Sequence, residues 1–196
     1  MIKRLFTSLS VLGLLQVLLV ACCPDPQTYY SVINGVFSST YKNTEVLNDS
    51  SVVALDDFQL MLGLEDMLVT EHSPVEDLIS SSYALSCDDV ILAGTRSPLK
   101  DLRLKADKDL FGIAANEVIP AQKFRMTPDF GETENPVFYE VSTFLDKMNN
   151  EQSLYYLWYI QFNDTTSSSE YIRFKLELEL EDGNIYETQA PAVRFN

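Results

Sequence analysis

Residues 172–181 read Ile-Arg-Phe-Lys-Leu-Glu-Leu-Glu-Leu-Glu, an unbroken alternation of apolar and charged side chains. A period of two belongs to a β-strand, because successive Cβ atoms point to opposite faces of a sheet. Asp182-Gly183 follows, a turn dipeptide whose glycine adopts positive φ without a steric penalty. Ile185 to Phe195 is then predicted to return as the partner strand. A hairpin with one face of Ile172, Phe174, Leu176, Leu178 and Leu180 must lay that face on another apolar layer, so the chain has to be built around packed sheets.

The segments before the hairpin supply that layer. In Leu154 to Phe162, the residues Leu154, Tyr156, Trp158, Ile160 and Phe162 fall on one face, and Tyr155, Leu157 and Tyr159 on the other. A strand that is apolar on both faces needs cover on both, which predicts a central position. Tyr155, Tyr156, Trp158 and Tyr159 are also rings that could stack on sugars, although two-faced apolar strands usually form core. Phe58, Leu60, Leu62 and Leu64 alternate with Gln59, Met61, Gly63 and Glu65 and predict a half-buried strand. Tyr29–Tyr41, Tyr83–Cys87, Val90–Ala93 and Leu99–Ala106 complete the strand set, with Asn34-Gly35 a turn or bulge position. Ser73-Pro74-Val75-Glu76 has the form of a capping box opening a turn or two. One longer helix is predicted near 136–148, with Asn135 as its N-cap and a stripe of Val137, Phe138, Val141, Phe144, Leu145 and Met148. Many strands, one helix and no repeating βα unit predict a mainly β fold, an antiparallel, Ig-like β-sandwich forming one domain over 29–196.

The N-terminus carries an address. Lys3 and Arg4 precede 17 uncharged residues, Leu5 to Ala21, and Cys22, Cys23 and Pro24-Asp25-Pro26 come next. A basic start, an apolar run and a small residue before a cut point make a signal peptide over 1–21. The alternative is a membrane anchor, for which the run is short against the ~20 residues of a spanning helix. Leu19-Val20-Ala21-Cys22 resembles the lipobox of bacterial lipoproteins. That resemblance implies cleavage after Ala21 and lipidation of Cys22, with 22–28 as a tether. Cys23 fits the modified position less well, because Cys22 would then occupy the small-residue site. Two cysteines, Cys23 and Cys87, stay unmodified in an oxidising compartment and could form a disulfide; Cys87 as a small buried hydrophobe is the other reading.

Two further stretches carry a resemblance. Phe174 to Phe195 is similar to the closing hairpin of a family of small Gram-negative cell-envelope lipoproteins, with its strand, Asp-Gly, a strand containing Thr and Pro, and a final apolar pair. Ser97 to Leu110 is similar to a mid-domain segment of that family. With the lipobox, the likeness touches about a third of the chain. The family's domain has no assigned function, so the resemblance implies envelope location and a β-rich fold and transfers no active residue.

Chemistry is sparse. The formal net charge is −15, which disfavours nucleic acid as a partner. Seven glycines stand at least 18 residues apart, which excludes dinucleotide and phosphate-loop fingerprints. The one histidine, His72, has no nucleophile motif beside it. Carboxylates are adjacent at Asp56-Asp57, Glu65-Asp66, Glu76-Asp77 and Asp88-Asp89. A Ca²⁺ site could draw on these carboxylates, but the sequence has no Asp-x-Asp-x-Asp-Gly loop to gather them. A glycosidase pair needs a carboxylate spacing that a sequence does not supply. Arg96, Lys100, Arg103, Lys105 and Lys108 could meet a polyanion, but interleaved Asp101, Asp107 and Asp109 favour offsetting acidic neighbour strands.

The reading that follows has no catalytic residue, no metal and no cofactor beyond an acyl lipid on Cys22. It expects an envelope lipoprotein, at the outer membrane and facing the periplasm or the surface, that binds a protein or glycan without catalysis. An accessory subunit of an envelope complex is the alternative, and a glycan-active hydrolase comes third.

Overall fold

The computed structural model describes residues 28–70, 91–128, 136–150, 156–164 and 167–196. The signal peptide, Cys22, Cys23, most of the tether, His72, the Ser73–Glu76 capping box, Tyr83–Cys87, Glu76-Asp77 and Asp88-Asp89 lie outside these residues. The described residues divide into two compact units. One contains 28–30, 69–70 and 91–93; the other contains Ser31–Leu68 and the described part of Gly94–Asn196.

The protein is mainly β, with antiparallel sheets and, among the described residues, one α-helix. Its strands are β1 (Thr28–Lys42), β2 (Glu45–Val46), β3 (Ser51–Val53), β4 (Phe58–Thr70), β5 (Ile91–Thr95), β6 (Leu99–Ala106), β7 (Phe124–Thr127), β8 (Leu157–Phe162), β9 (Phe174–Leu180), β10 (Ile185–Gln189) and β11 (Val193–Phe195). The first sheet runs β2-β1-β4-β8-β7, with β5 also bonded to β1. The second runs β10-β9-β6. The third pairing, β11 with β3, is parallel.

The core of the larger unit lies between the first and second sheets. Phe174 of β9 stacks on Phe58 of β4 at 5.8 Å and meets Phe162 of β8 at 5.3 Å. Phe195 closes on Phe58 edge-on at 5.1 Å. Every apolar residue of the 172–180 alternation is buried, as the period of two requires. β8 is central, between β4 and β7, and its Trp158 and Ile160 are fully buried.

Three expectations need correction, and a fourth is narrowed from two readings to one. The helix, α1, spans Val141–Asn150 and not 136–148. Tyr139 exchanges two backbone bonds with Met126 on the edge of β7, at 2.8 and 2.9 Å, which keeps it out of the helix, and the Glu140 carbonyl accepts the Phe144 N–H at 2.8 Å. Val141, Phe144, Leu145 and Met148 are buried as the stripe demands, while Val137 is exposed. Second, the return from Asp182-Gly183 is not one strand. β10 pairs with β9 only to Gln189, Pro191 interrupts, and β11 leaves to pair with β3. Asp49 makes the join, its carboxylate accepting the Ala192 N–H at 2.8 Å.

Third, β4 is not half-buried, because Gln59 and Met61 on its second face are as buried as Leu60 and Leu62. Finally, of the turn and bulge readings of Asn34-Gly35 the turn fails, because β1 runs through it. The buried parity changes from Ile33 to Val36, as an extra residue in the strand would make it, and the Ile33 carbonyl accepts the Tyr186 hydroxyl at 2.7 Å.

Candidate functional site

The first sheet has an outward face that is not polar. Register places Gly63 opposite Leu157, and Met61 opposite Tyr159, which is opposite Thr127 in turn. These residues alternate with the buried Leu60, Leu62, Trp158 and Ile160, so they point away from the core. The Phe37 ring lies over Gly63 so closely that a Cβ there would stand 2.1 Å from it. Only glycine leaves room for the ring between β1 and β8. Tyr41 meets Tyr159 edge-on, centroids 6.1 Å apart and planes at 72°. Phe37 is 40% and Leu157 39% exposed, while Met61 beneath them is buried. At the rim, Arg125 lies over the Phe138 ring at 5.3 Å. Glu65 folds over Gly35 and bounds the patch with a negative charge. The patch is therefore a shelf of Phe37, Tyr41, Tyr159 and Leu157, rimmed by polar groups.

The second sheet presents the opposite chemistry. On its outer face Lys100 and Arg103 bind Glu179 at 2.5 and 2.9 Å, and Lys105 binds Glu177 at 2.6 Å. Lys175 reaches Glu187 at 2.9 Å and Glu177 at 3.2 Å. Hydrogen bonding by Lys105, more than burial opposes it, holds the Glu177 carboxyl below the usual range, and Lys100 does the same for Glu179. Glu187 and Glu177 raise Lys175 in return. Lys100, Arg103 and Lys105 are thus offset by β9 acids, as the interleaved sequence suggested. Lys108 pairs with Glu170 at 3.3 Å, and Arg96 is exposed.

A polar groove of about 510 Å³ opens between Asp107–Asp109 and Ser167–Glu170. Its carboxylates are already engaged. Asp107 accepts the Arg173 N–H at 2.7 Å and Asp109 the Ala115 N–H at 2.9 Å. Both carboxylates thereby shape the loops that form the groove.

Of the sequence's carboxylate pairs, Asp56-Asp57 sits on a 3-10 turn, Leu55–Asp57. Glu65 and Asp66 diverge on β4: Glu65 covers Gly35, and Asp66 accepts a hydrogen bond from the Ser31 hydroxyl. Burial and the Asp66 charge push the Tyr156 phenol up, so Tyr156 stays neutral at physiological pH. Among the described residues, no three His, Cys, Asp or Glu side chains gather as a metal site. Nor is any described helix long and apolar enough to cross a membrane.

The rings read as possible sugar platforms divide between the layers. Trp158 is core, edge-on to Phe144 at 5.2 Å, whereas Tyr159 is on the outward shelf. Phe37, Gly63 and Leu157 were not singled out as a site by sequence reasoning. The one signal was Gly63, a gap in the odd-numbered face of an otherwise bulky strand. The chain matches no protein-family model and no curated protein.

Proposed function

We propose that this chain is a non-catalytic binding module held at a bacterial cell envelope by a lipid on Cys22. The Leu19–Cys22 run supports the anchor, and the outer membrane is the surface it would occupy. The outward shelf of Phe37, Tyr41, Tyr159 and Leu157 carries the binding reading. Apolar side chains on the solvent face of a sheet gain by being covered, at about 25 cal/mol per Å². The 72° between the Tyr41 and Tyr159 planes favours an apolar protein surface over a flat sugar ring. Anchoring would raise the module's effective concentration for partners at the same membrane.

The test uses the full chain in a Gram-negative host, with a photo-crosslinking residue at Leu157 and a control at Lys100. A discrete adduct is expected from Leu157 and lost in Phe37→Asp, with none from Lys100. Equal adducts from both positions, or none from Leu157, would overturn the binding face. The anchor is tested separately: Cys22→Ala should move the protein out of the membrane fraction and remove the acyl mass.

The accessory-subunit reading has its own support in the edge of β10, whose outward backbone groups take no backbone bond from the described residues.

A further inference from the structure

We infer that the β10 edge is a docking site for an extended segment of another protein, which adds to the second sheet as its next strand. The segment would carry Lys or Arg opposite Glu187 and an apolar residue opposite Ile185. This surface is separate from the Phe37–Leu157 shelf, so either proposal can fail without the other.

Hydrogen-bond alternation defines the edge. Leu180 N–H donates to the Asn184 carbonyl and Ala190 N–H to the Phe174 carbonyl, both at 2.9 Å. In the antiparallel register these fix the even residues of β10 as those bonded to β9. The N–H and C=O groups of Ile185, Glu187 and Gln189 therefore point away from β9. No backbone bond from the described residues reaches them. The opposite edge of this sheet is covered. Asn149 of α1 donates to the Leu99 carbonyl and accepts its N–H, at 2.8 and 2.7 Å, and Ile119 N–H bonds the Leu104 carbonyl at 2.8 Å. The edge of β7 is likewise bonded by Tyr139.

The free edge is also held in place. Tyr186 binds the Ile33 carbonyl at 2.7 Å, and the Thr188 hydroxyl shares a hydrogen bond with Ser38 at 3.0 Å. A preorganised edge saves the ordering cost on one side of the association.

Charge says what fits. Across the sheet the rows read Arg103–Glu177–Glu187 and Asp101–Glu179–Ile185. The first row ends on Glu187, whose side chain is 52% exposed and shares Lys175 with Glu177. Cross-strand opposite charges attract, so a cation opposite Glu187 extends the row. Ile185, half exposed, takes an apolar neighbour. A second copy of this chain fits poorly. Pairing β10 with itself about Glu187 would set two carboxylates directly opposite, a destabilising pair. The carboxylate that repels a second copy is the one that selects a basic strand. Pro191 closes the site after about one five-residue strand, giving main-chain affinity with side-chain selection.

The experiment uses the full chain in detergent micelles and a fluorescein-labelled heptapeptide, Thr-Val-Thr-Lys-Thr-Val-Thr, read by anisotropy. The same peptide with Glu for Lys tests charge. The Lys peptide N-methylated at alternate residues tests main-chain bonding at constant charge. The Lys peptide is expected to bind roughly tenfold more tightly than the Glu peptide, and Glu187→Lys to reverse that order. Glu187→Pro removes an outward N–H without touching the β9 ladder and should abolish binding with Trp158 fluorescence unchanged. Hydrogen exchange should slow at residues 185–189. Equal binding by the N-methylated peptide, slowing at other residues only, or no binding at millimolar peptide would each overturn the assignment.

Discussion

Replacing Gly63 with alanine should have opposite effects on stability depending on one residue of the neighbouring strand. In the native protein the new Cβ would sit 2.1 Å from the Phe37 ring, with three ring carbons inside 2.6 Å. The ring is the far end of a side chain that is 40% exposed, so it swings out and the backbone stays. Full burial of a phenylalanine contributes about 1.5–3 kcal/mol, so losing the covered part of this one costs roughly 1–2 kcal/mol. Gly63 is not among the positive-φ residues, and alanine there recovers about 0.5–1 kcal/mol of backbone entropy. The net effect is a loss of about 0–1.5 kcal/mol, centred on ~0.7. In a Phe37→Ala background the clash is gone and the same substitution should stabilise by about 0.5–1 kcal/mol. The assay is urea unfolding followed through Trp158, the chain's one tryptophan and fully buried. A coupling energy within about 0.5 kcal/mol of zero would refute the account of Phe37 as the occupant of the Gly63 gap.

Three further outcomes test other parts of the fold. Phe174→Ala empties a site shared by Phe58, Phe162 and Phe195 and should cost about 3–5 kcal/mol in the same unfolding assay. Glu177 has its carboxyl lowered by Lys105, so its contribution is complete above the ordinary carboxylate value near ~4.3 and is lost as pH falls through the lowered folded value. Glu177→Gln should therefore flatten the acid limb of stability against pH; an unchanged limb would contradict the pairing. Asp49→Ala removes the acceptor for Ala192 N–H, so hydrogen exchange at Val193–Phe195 should quicken while the β9–β10 amides keep their rates.

Elements whose residues carry their own periodicity were legible from the sequence. The 172–180 alternation, the Asp182-Gly183 turn, the two apolar faces of β8 and the buried half of α1 all follow from side-chain direction, which is a local property of the backbone. Gly183 indeed takes φ +88°. The helix start failed for the opposite reason. Pro136-Val137-Phe138 satisfies every local rule for a first turn, but Tyr139 is taken by the edge of β7, a partner only the tertiary fold brings near. Ile185 to Phe195 reads as one strand, although Pro191 divides it into β10 and β11. That Val193–Phe195 runs parallel to Ser51–Val53 was not legible, because the two strands are separated by most of the chain.

The same division governs function. By itself the sequence determined that the chain builds packed antiparallel sheets, and it carries the Leu19–Cys22 pattern on which the anchor is proposed. Both are written in short windows of residue type. The tertiary structure decided which side chains share a face: it placed Phe37 of β1 on Gly63 of β4 beside Leu157 of β8, and left β10 open with Glu187 at its edge. Strand order sets such neighbours, and strand order follows from burying the most apolar surface at once, a sum over the whole chain that no single window contains.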